Sequence, residues 1–243
     1  MKLIKLDAID STNDFLKDLS GKQILDNFTV VSTENQAKGK GQMGAEWNSE
    51  IGKNLTFSIL IKEVLKNNSK IFDLNIAIAL AILSSLETDN IPNLTIKWPN
   101  DIMSDNKKIA GILIENKIKS NGEIISIVGI GLNVNQINFE NLPKATSLAV
   151  VLGSEFDKEM LLFNIVDAIK TKMAVLKNDL ASDLWLEYNQ KLFKKGVPIP
   201  FSNSKEEKFM GIIQNVNFSG QLAVVLENDA IANFGIKEIQ MLY

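Results

Sequence analysis

The sequence predicts an α+β fold built on a mixed or antiparallel sheet, followed by a small all-β unit. Three observations carry this reading. Over residues 3–193, short strand-like runs joined by turns are interspersed with a few segments of helical period. Past Lys194-Lys195-Gly196 the texture changes. From Val197 onward, short alternating runs are separated by turn signals at Asn203-Ser204, Ser219-Gly220 and Asn228-Asp229, which suits a small barrel. The chain has 243 residues, 45% hydrophobic and 23% charged, enough for a sizeable core. At about 150 residues per domain this length fits one large unit and one small one. The boundary is drawn at 1–193 and 194–243.

The elements follow in order. Residues 3–6 read as a strand. Ser11-Thr12-Asn13-Asp14 places a capping hydroxyl three residues before an acid, ahead of Phe15, Leu16 and Leu19, with Gly21 expected to close the helix. Residues 28–31 form a second strand, and a polar, glycine-rich stretch runs over 33–46. Residues 54–61 alternate as a strand. Residues 71–86 have helical length and are apolar nearly all round, so the helix is expected to be buried. Residues 94–98, 107–115 and 123–134 are strand-like, and Asn121-Gly122 is a strong hairpin signal. Residues 158–176 form an amphipathic helix and 182–193 another.

Composition removes several chemistries. Cysteine and histidine are absent, so disulfides, cysteine nucleophiles, Ser-His-Asp triads and the usual zinc sites are excluded. All 26 basic residues are lysine, so there is no arginine clamp. A net charge of -3 argues against a basic nucleic-acid surface. The longest apolar run, residues 76–83, falls short of the ~20 residues needed to cross a bilayer, and no leader pattern is evident, so no membrane partner and a cytoplasmic location are expected.

Three stretches carry chemistry. Gly39-Lys40-Gly41-Gln42-Met43-Gly44 matches G-x-G-x-x-G, but a strand follows it instead of a helix, and Ala45 replaces the Lys-Ser/Thr of a Walker loop. It is either a loop that closes over an anionic ligand or an ordinary surface loop. In the second stretch, Lys97-Trp98-Pro99-Asn100-Asp101 ends one strand and Lys107-Lys108 opens the returning one. Asp101 and Lys108 at facing strand ends suit either a magnesium-nucleotide and a charged reacting centre or a plain hairpin-end ion pair. In the third, Val128-Gly129-Ile130-Gly131-Leu132-Asn133 is either a strand with packing glycines or one where a ligand approaches closely and Asn133 reads an adenine edge.

Taken together and in this order, these segments resemble a biotin protein ligase. The resemblance covers nearly the whole chain and rests on Asp10-Ser11-Thr12-Asn13, on residues 36–47, on Lys97-Trp98-Pro99-Asn100-Asp101, on Lys108-Ile109-Ala110-Gly111-Ile112-Leu113-Ile114-Glu115 and on Gly129-Ile130-Gly131-Leu132-Asn133. It implies a catalytic domain like that of class II aminoacyl-tRNA synthetases and an SH3-like barrel at the C-terminus. The start of the chain, almost at the Ser-Thr-Asn motif, leaves no room for a winged helix, so no repressor activity on an operator is expected.

The resemblance implies ATP-dependent activation of biotin to biotinyl-5′-AMP, then transfer to a lysine of a carrier, the biotin carboxyl carrier protein of acetyl-CoA carboxylase. Lipoate or octanoate transfer, or a non-catalytic biotin or nucleotide binder, are the alternatives. Lys108 would be the catalytic lysine. Ser11, Thr12, Asn13 and Gln36 would form the biotin wall. Gly39, Lys40, Gly41, Gln42 and Gly44 would fold over the adenylate, with Trp47 at their base. Asn100 and Asp101 would orient ATP and its Mg2+, with Asp101 the metal-side ligand. Gly111, Gly129 and Gly131 would admit ligand, Asn133 would read adenine, and Glu115 would give support. A homodimer would pair edge strands between residues 107 and 135. The family's loop usually carries arginines where this chain has Lys40, Gln42 and Ala45. Lysine lacks the bidentate fork and Gln42 lacks the charge, so a looser hold on the adenylate is expected.

Overall fold

The computed structural model describes residues 2–65, 70–178 and 180–243. Strand β1 (Leu3–Ile9) leads into α1 (Thr12–Lys22), whose first turn is capped by Ser11, its hydroxyl accepting from the Asp14 amide at 3.4 Å. Then come β2 (Val30–Gln36), β3 (Leu55–Lys62), α2 (Ile71–Thr88), β4 (Leu94–Lys97), β5 (Asp101–Ser104), β6 (Lys107–Ile118) and β7 (Ile124–Leu132). Three helices follow, α3 (Leu148–Leu152), α4 (Lys158–Lys177) and α5 (Ala181–Gln190). The seven strands form one sheet in the order β1-β2-β3-β7-β6-β5-β4. Only β1 and β2 run parallel; the remaining neighbours are antiparallel.

Strand alternation assigns the two faces. Val30, Phe57, Ile59 and Ile61 join the large core that holds α2, α4 and α5. Val31, Leu60, Ile125 and Ile127 face the other way and pack on Leu16 of α1. Helix α2 is long and apolar enough to cross a bilayer by length and composition, yet it is the buried centre of the core, with Leu74 and Ile76 to Leu83 inaccessible to solvent. Asp73, in its first turn, accepts from the Trp185 indole at 2.8 Å.

A second sheet contains β8 (Pro198–Asn203), β9 (Lys208–Val216), β10 (Leu222–Leu226), β11 (Ile231–Phe234) and β12 (Ile239–Met241), all antiparallel in the order β11-β10-β9-β8-β12. Its inner residues Phe201, Ile213 and Val224 continue the main core. Polar contacts pin it to the first sheet: the Trp98 indole donates to the Gly220 carbonyl at 2.9 Å, and Asn189 on α5 accepts from the Val216 amide at 2.7 Å.

The structure departs from the sequence reading at four places. Helix α1 passes through Gly21 and ends one residue later. β2 starts at Val30, because Phe28 is left-handed (φ 61), and continues through Gln36 into the stretch expected to be loop. β5 and α3 were not anticipated, being only four and five residues long, too short for a periodic signal. Of the strands expected at a dimer edge, β7 is interior, flanked by β3 and β6, whereas β6 pairs with β5 only over residues 107–111 and beyond them has β7 alone as its ladder partner; the outermost strands of the sheet are β1 and β4.

Candidate functional site

The site lies on the α1 side of the large sheet, where pairing lines up two rows of residues. Ser58, Gly129 and Leu113 form one row; Thr56, Gly131, Gly111 and Asp101 form the next. Paired residues share a face, so the middle of this surface is a floor of glycine backbone. Above it the N-terminus of α1 brings in Ser11, Thr12 and Asn13, all buried. Gln36, at the end of β2, accepts from the Thr12 amide at 2.8 Å and lies 3.0 Å from the Thr12 hydroxyl. These four polar residues wall one end of a cavity of about 550 Å3, within the range of small-molecule sites.

The floor glycines are required, but by a different neighbour than expected. A Cβ on Gly131 would lie 2.3 Å from the Trp47 ring, and one on Gly129 would lie 2.4 Å from Asn13 Oδ1. One on Gly111 would meet Lys108 Nζ at 3.0 Å. The groups that approach these glycines are thus the protein's own side chains, which lie between the strands and the cavity. The Trp47 indole N–H is buried and has no hydrogen-bond partner among the described residues.

Lys108 reaches this face through a β-bulge. Asp101 pairs with Gly111 and Ile102 with Ala110, but Met103 pairs with Lys108, so Ile109 is an extra residue. In unbroken alternation Lys108 would share the face of Ala110, which is in the core. The inserted Ile109 returns it to the face of Gly111. The start of β6 is held there by the Lys108 amide donating to the Lys144 carbonyl at 2.8 Å and the Thr146 amide donating back at 3.0 Å. The Lys108 ammonium contacts Asp101 at 2.6 Å and lies 5.5 Å from the centre of the Trp47 ring. Lys97 approaches the other oxygen of Asp101 at 3.5 Å.

The glycine-rich loop lies across the cavity mouth as a closed turn. Its base is tied by the Trp47 amide to the Gly39 carbonyl at 2.9 Å and by the Gly41 amide to the Ala45 carbonyl at 2.7 Å, around a 3-10 turn over Gln42–Gly44. Two lysines hold it from outside. Lys40 pairs with Asp14 on α1 at 2.6 Å, and this hydrogen bond holds its ammonium above the usual lysine range. From the second sheet, Lys237 donates to the Met43 carbonyl at 3.0 Å. Ser202, Asn203, Gln240 and Met241 also line the cavity, so both sheets enclose it.

The structure brings together on the cavity wall Ser11, Thr12, Asn13, Gln36, Lys40, Gly41, Gln42, Trp47, Asn100, Asp101, Lys108, Gly111, Gly129 and Gly131. It leaves Gly39, Gly44 and Asn133 outside. Asn133 is buried below, its amide donating to the Thr146 carbonyl at 3.0 Å, so its hydrogen-bonding edge serves the loop after β7. The Asn100 amide is turned back on its own hairpin, donating to the Ile112 carbonyl at 2.7 Å. Among the described residues no three acidic side chains converge as a metal-binding group, and Asp101 already faces two ammoniums. This donor set does not make a metal site by itself.

Sequence reasoning missed Ser58, fully buried between Thr12 and Asn13, and Lys237. A serine inside the apolar run Leu55–Lys62 is a signal of an internal hydrogen bond. Nothing local marks Lys237.

Comparison with known proteins follows the same residues. The family model described as "Biotin/lipoate A/B protein ligase family" matches residues 6–135, which hold every wall, floor and lysine position above except those from the second sheet. The chain is 30% identical over 169 residues to the bifunctional ligase/repressor BirA of Bacillus spizizenii, an alignment covering 68% of this chain and 51% of that protein. It is 25% identical over 231 residues to the biotin--[acetyl-CoA-carboxylase] ligase of Mycobacterium tuberculosis, covering 90% and 83%. The chain thus spans about half the length of the Bacillus relatives it matches. Among solved structures, the biotin protein ligase from Aquifex aeolicus in complex with biotin and ATP superposes with a TM-score of 0.81 at 26% identity, over 99% of this chain and 98% of that one. With a family match over more than half of its length and a fold shared end to end with such a ligase, the chain belongs to the biotin/lipoate A/B protein ligase family.

Proposed function

We propose that the protein activates biotin with ATP and transfers it to a lysine of a carrier protein, with a biotin carboxyl carrier domain as acceptor, in the cytoplasm. In this reading residues 1–193 form a class II synthetase-like catalytic domain and residues 194–243 an SH3-like domain. One observation carries the proposal. The Lys108 ammonium stands on the glycine floor between a wall of neutral hydrogen-bonding groups and the Asn100-Asp101 strand end. A ligand with a polar head and an ionised tail therefore has its carboxylate delivered to the Lys108 ammonium on that floor.

The chemistry needs no histidine. A carboxylate is ionised at neutral pH and attacks the α-phosphorus of ATP directly. The new bond is carboxyl O–P, and the bond that breaks is the one to the departing pyrophosphate. Lys108 neutralises charge on the non-bridging oxygens while two anions are pressed together. In the second step the carrier amine attacks the acyl carbon, the bond to AMP breaks, and the amine proton leaves to solvent. Lys108 faces the same oxygens again. Asp101 holds Lys108 in place, and Mg2+ enters with the nucleotide phosphates as part of the substrate, since the described residues form no cluster of three acidic groups to cage it.

The test is pyrophosphate release with ATP, magnesium and either biotin or lipoate, with and without a biotin-accepting carrier domain. Release with biotin and labelling of the carrier is expected. Release with lipoate alone would transfer the substrate assignment to the lipoyl class, and no release with either would refute the catalytic reading.

A further inference from the structure

We propose that Ser58 and Glu115, neither of which touches the cavity, are the positioning residues that select a ligand head bearing N–H groups. The proposal rests on the biotin reading above and says which groups in this chain enforce it. Asn13 Nδ2 donates to Glu115 Oε2 at 2.9 Å, and Glu115 is anchored from its other oxygen by Lys17 at 3.2 Å. A carboxylate only accepts, so this contact turns the Asn13 amide with Oδ1 toward Ser58. Ser58 lies 2.6 Å from that oxygen and 2.7 Å from the Thr12 hydroxyl. Thr12 in turn lies 3.0 Å from Gln36 Oε1.

The proton count is decisive. Three short oxygen–oxygen contacts share two hydroxyl protons. Asn13 Oδ1 has none, so the Ser58 proton goes to it. The Thr12 proton lies between the Ser58 oxygen and Gln36 Oε1. Both hydroxyl protons are therefore used inside the wall, so the Thr12 and Asn13 oxygens meet the cavity as acceptors, while one N–H of the Asn13 amide is spent on Glu115. Ser11, whose oxygen accepts from the Asp14 amide, keeps its proton as a donor. With the Thr12 and Asn13 oxygens as acceptors and the Ser11 hydroxyl and Gln36 amide as donors, the wall asks for a ligand head that both donates and accepts, which a cyclic urea with two N–H groups and one carbonyl satisfies. A dithiolane ring or an alkyl chain has no N–H to offer these acceptors, so it gains nothing from them and binds less well.

The experiment measures biotin binding by calorimetry without ATP, alongside melting temperature and the KM for ATP. Ser58→Ala frees Asn13 Oδ1 of its donor, and Glu115→Leu lets the Asn13 amide turn over. Each is expected to weaken biotin, and dethiobiotin, which keeps the urea, by about tenfold, with the KM for ATP unchanged. Glu115→Gln, whose side-chain oxygen still accepts from Asn13, recovers most of what Glu115→Leu loses. Glu115 is partly exposed, so that pair of variants carries the test even if Ser58→Ala folds poorly. Biotin affinity within twofold of the parent in well-folded Ser58→Ala and Glu115→Leu would overturn the positioning role alone. A parent protein that binds no biotin would overturn the ligand assignment itself.

Discussion

Replacing Lys108 by alanine separates catalysis from stability, because the structure sets different sizes for the two effects. In the folded protein the ammonium contacts Asp101 at 2.6 Å, with about a third of the lysine side chain still exposed to solvent. A partly exposed pair of this kind contributes about 1 kcal/mol at most, and Lys97 remains 3.5 Å from Asp101 after the change. For a chain of this length that is a melting shift of roughly 2–4 °C. The catalytic loss is larger. Lys108 is the cation on the glycine floor, placed in advance by the bulge at Ile109 where charge develops at phosphorus. Removing one such preorganised donor costs about 2.7–4 kcal/mol, a hundred- to a thousandfold in rate. The assay is pyrophosphate release at saturating biotin and ATP, with transfer to the carrier measured separately from preformed biotinyl-adenylate. Both rates should fall while the melt barely moves. A variant turning over within tenfold of the parent would refute the role given to Lys108 and leave the Asp101 contact as a hairpin-end ion pair.

Further perturbations test the neighbouring features. Gly131→Ala places a methyl 2.3 Å from the Trp47 ring, so the indole must leave its bed; a loss of about 1–3 kcal/mol in thermal unfolding, with weaker biotin binding, is expected. Lys237→Ala removes the hold of the second sheet on the Met43 carbonyl, and protease cleavage within residues 38–46 should rise several-fold in the absence of ligands and fall again with biotin and ATP. Tyr188 is fully buried, its hydroxyl without a hydrogen-bond partner among the described residues, and burial pushes its ionisation well above the ordinary 10.0. The unfolded chain therefore releases that proton first, so this stabilisation is present below about pH 10 and lost above it. Melting temperature should fall steeply on that alkaline side. Tyr188→Phe should flatten the fall and add about 1 kcal/mol at neutral pH, read by thermal melts across pH.

The parts of the site that depend on chemistry carried by short motifs were legible in the sequence. Ser11 caps α1 as the Ser-x-x-Asp spacing requires, and that cap delivers Thr12 and Asn13 to the wall. Asp101 and Lys108 meet where facing strand ends put them. The parts that depend on register were not. A period of two, read outward from Gly111, places Lys108 on the wrong face, and only the extra residue Ile109 corrects it. The bond from the Asn133 amide to the Thr146 carbonyl has no local signal, because that partner lies thirteen residues away in a loop without a pattern. The glycines of the floor suit either packing or a ligand by their sequence alone, and the neighbours they accommodate, Trp47 at Gly131, Asn13 at Gly129 and Lys108 at Gly111, are set by long-range folding that local sequence does not encode.

The bed that Trp47 occupies also gives the protein an optical property. The chain has three tryptophans. The Trp185 indole is locked to the Asp73 carboxylate in the packed interior, so its emission is a constant background, while the Trp98 indole donates to the Gly220 carbonyl and also lines the cavity wall. The Trp47 ring lies on the cavity floor with its N–H unbonded and a lysine ammonium 5.5 Å from its centre, so its excited state feels the local charge directly. Any anion that draws Lys108 away, or any ring system that covers the indole, changes the colour and intensity of the Trp47 emission against the steady emission of Trp185. The site therefore carries its own unlabelled reporter, and occupancy of the floor can be followed in real time with nothing attached to the protein.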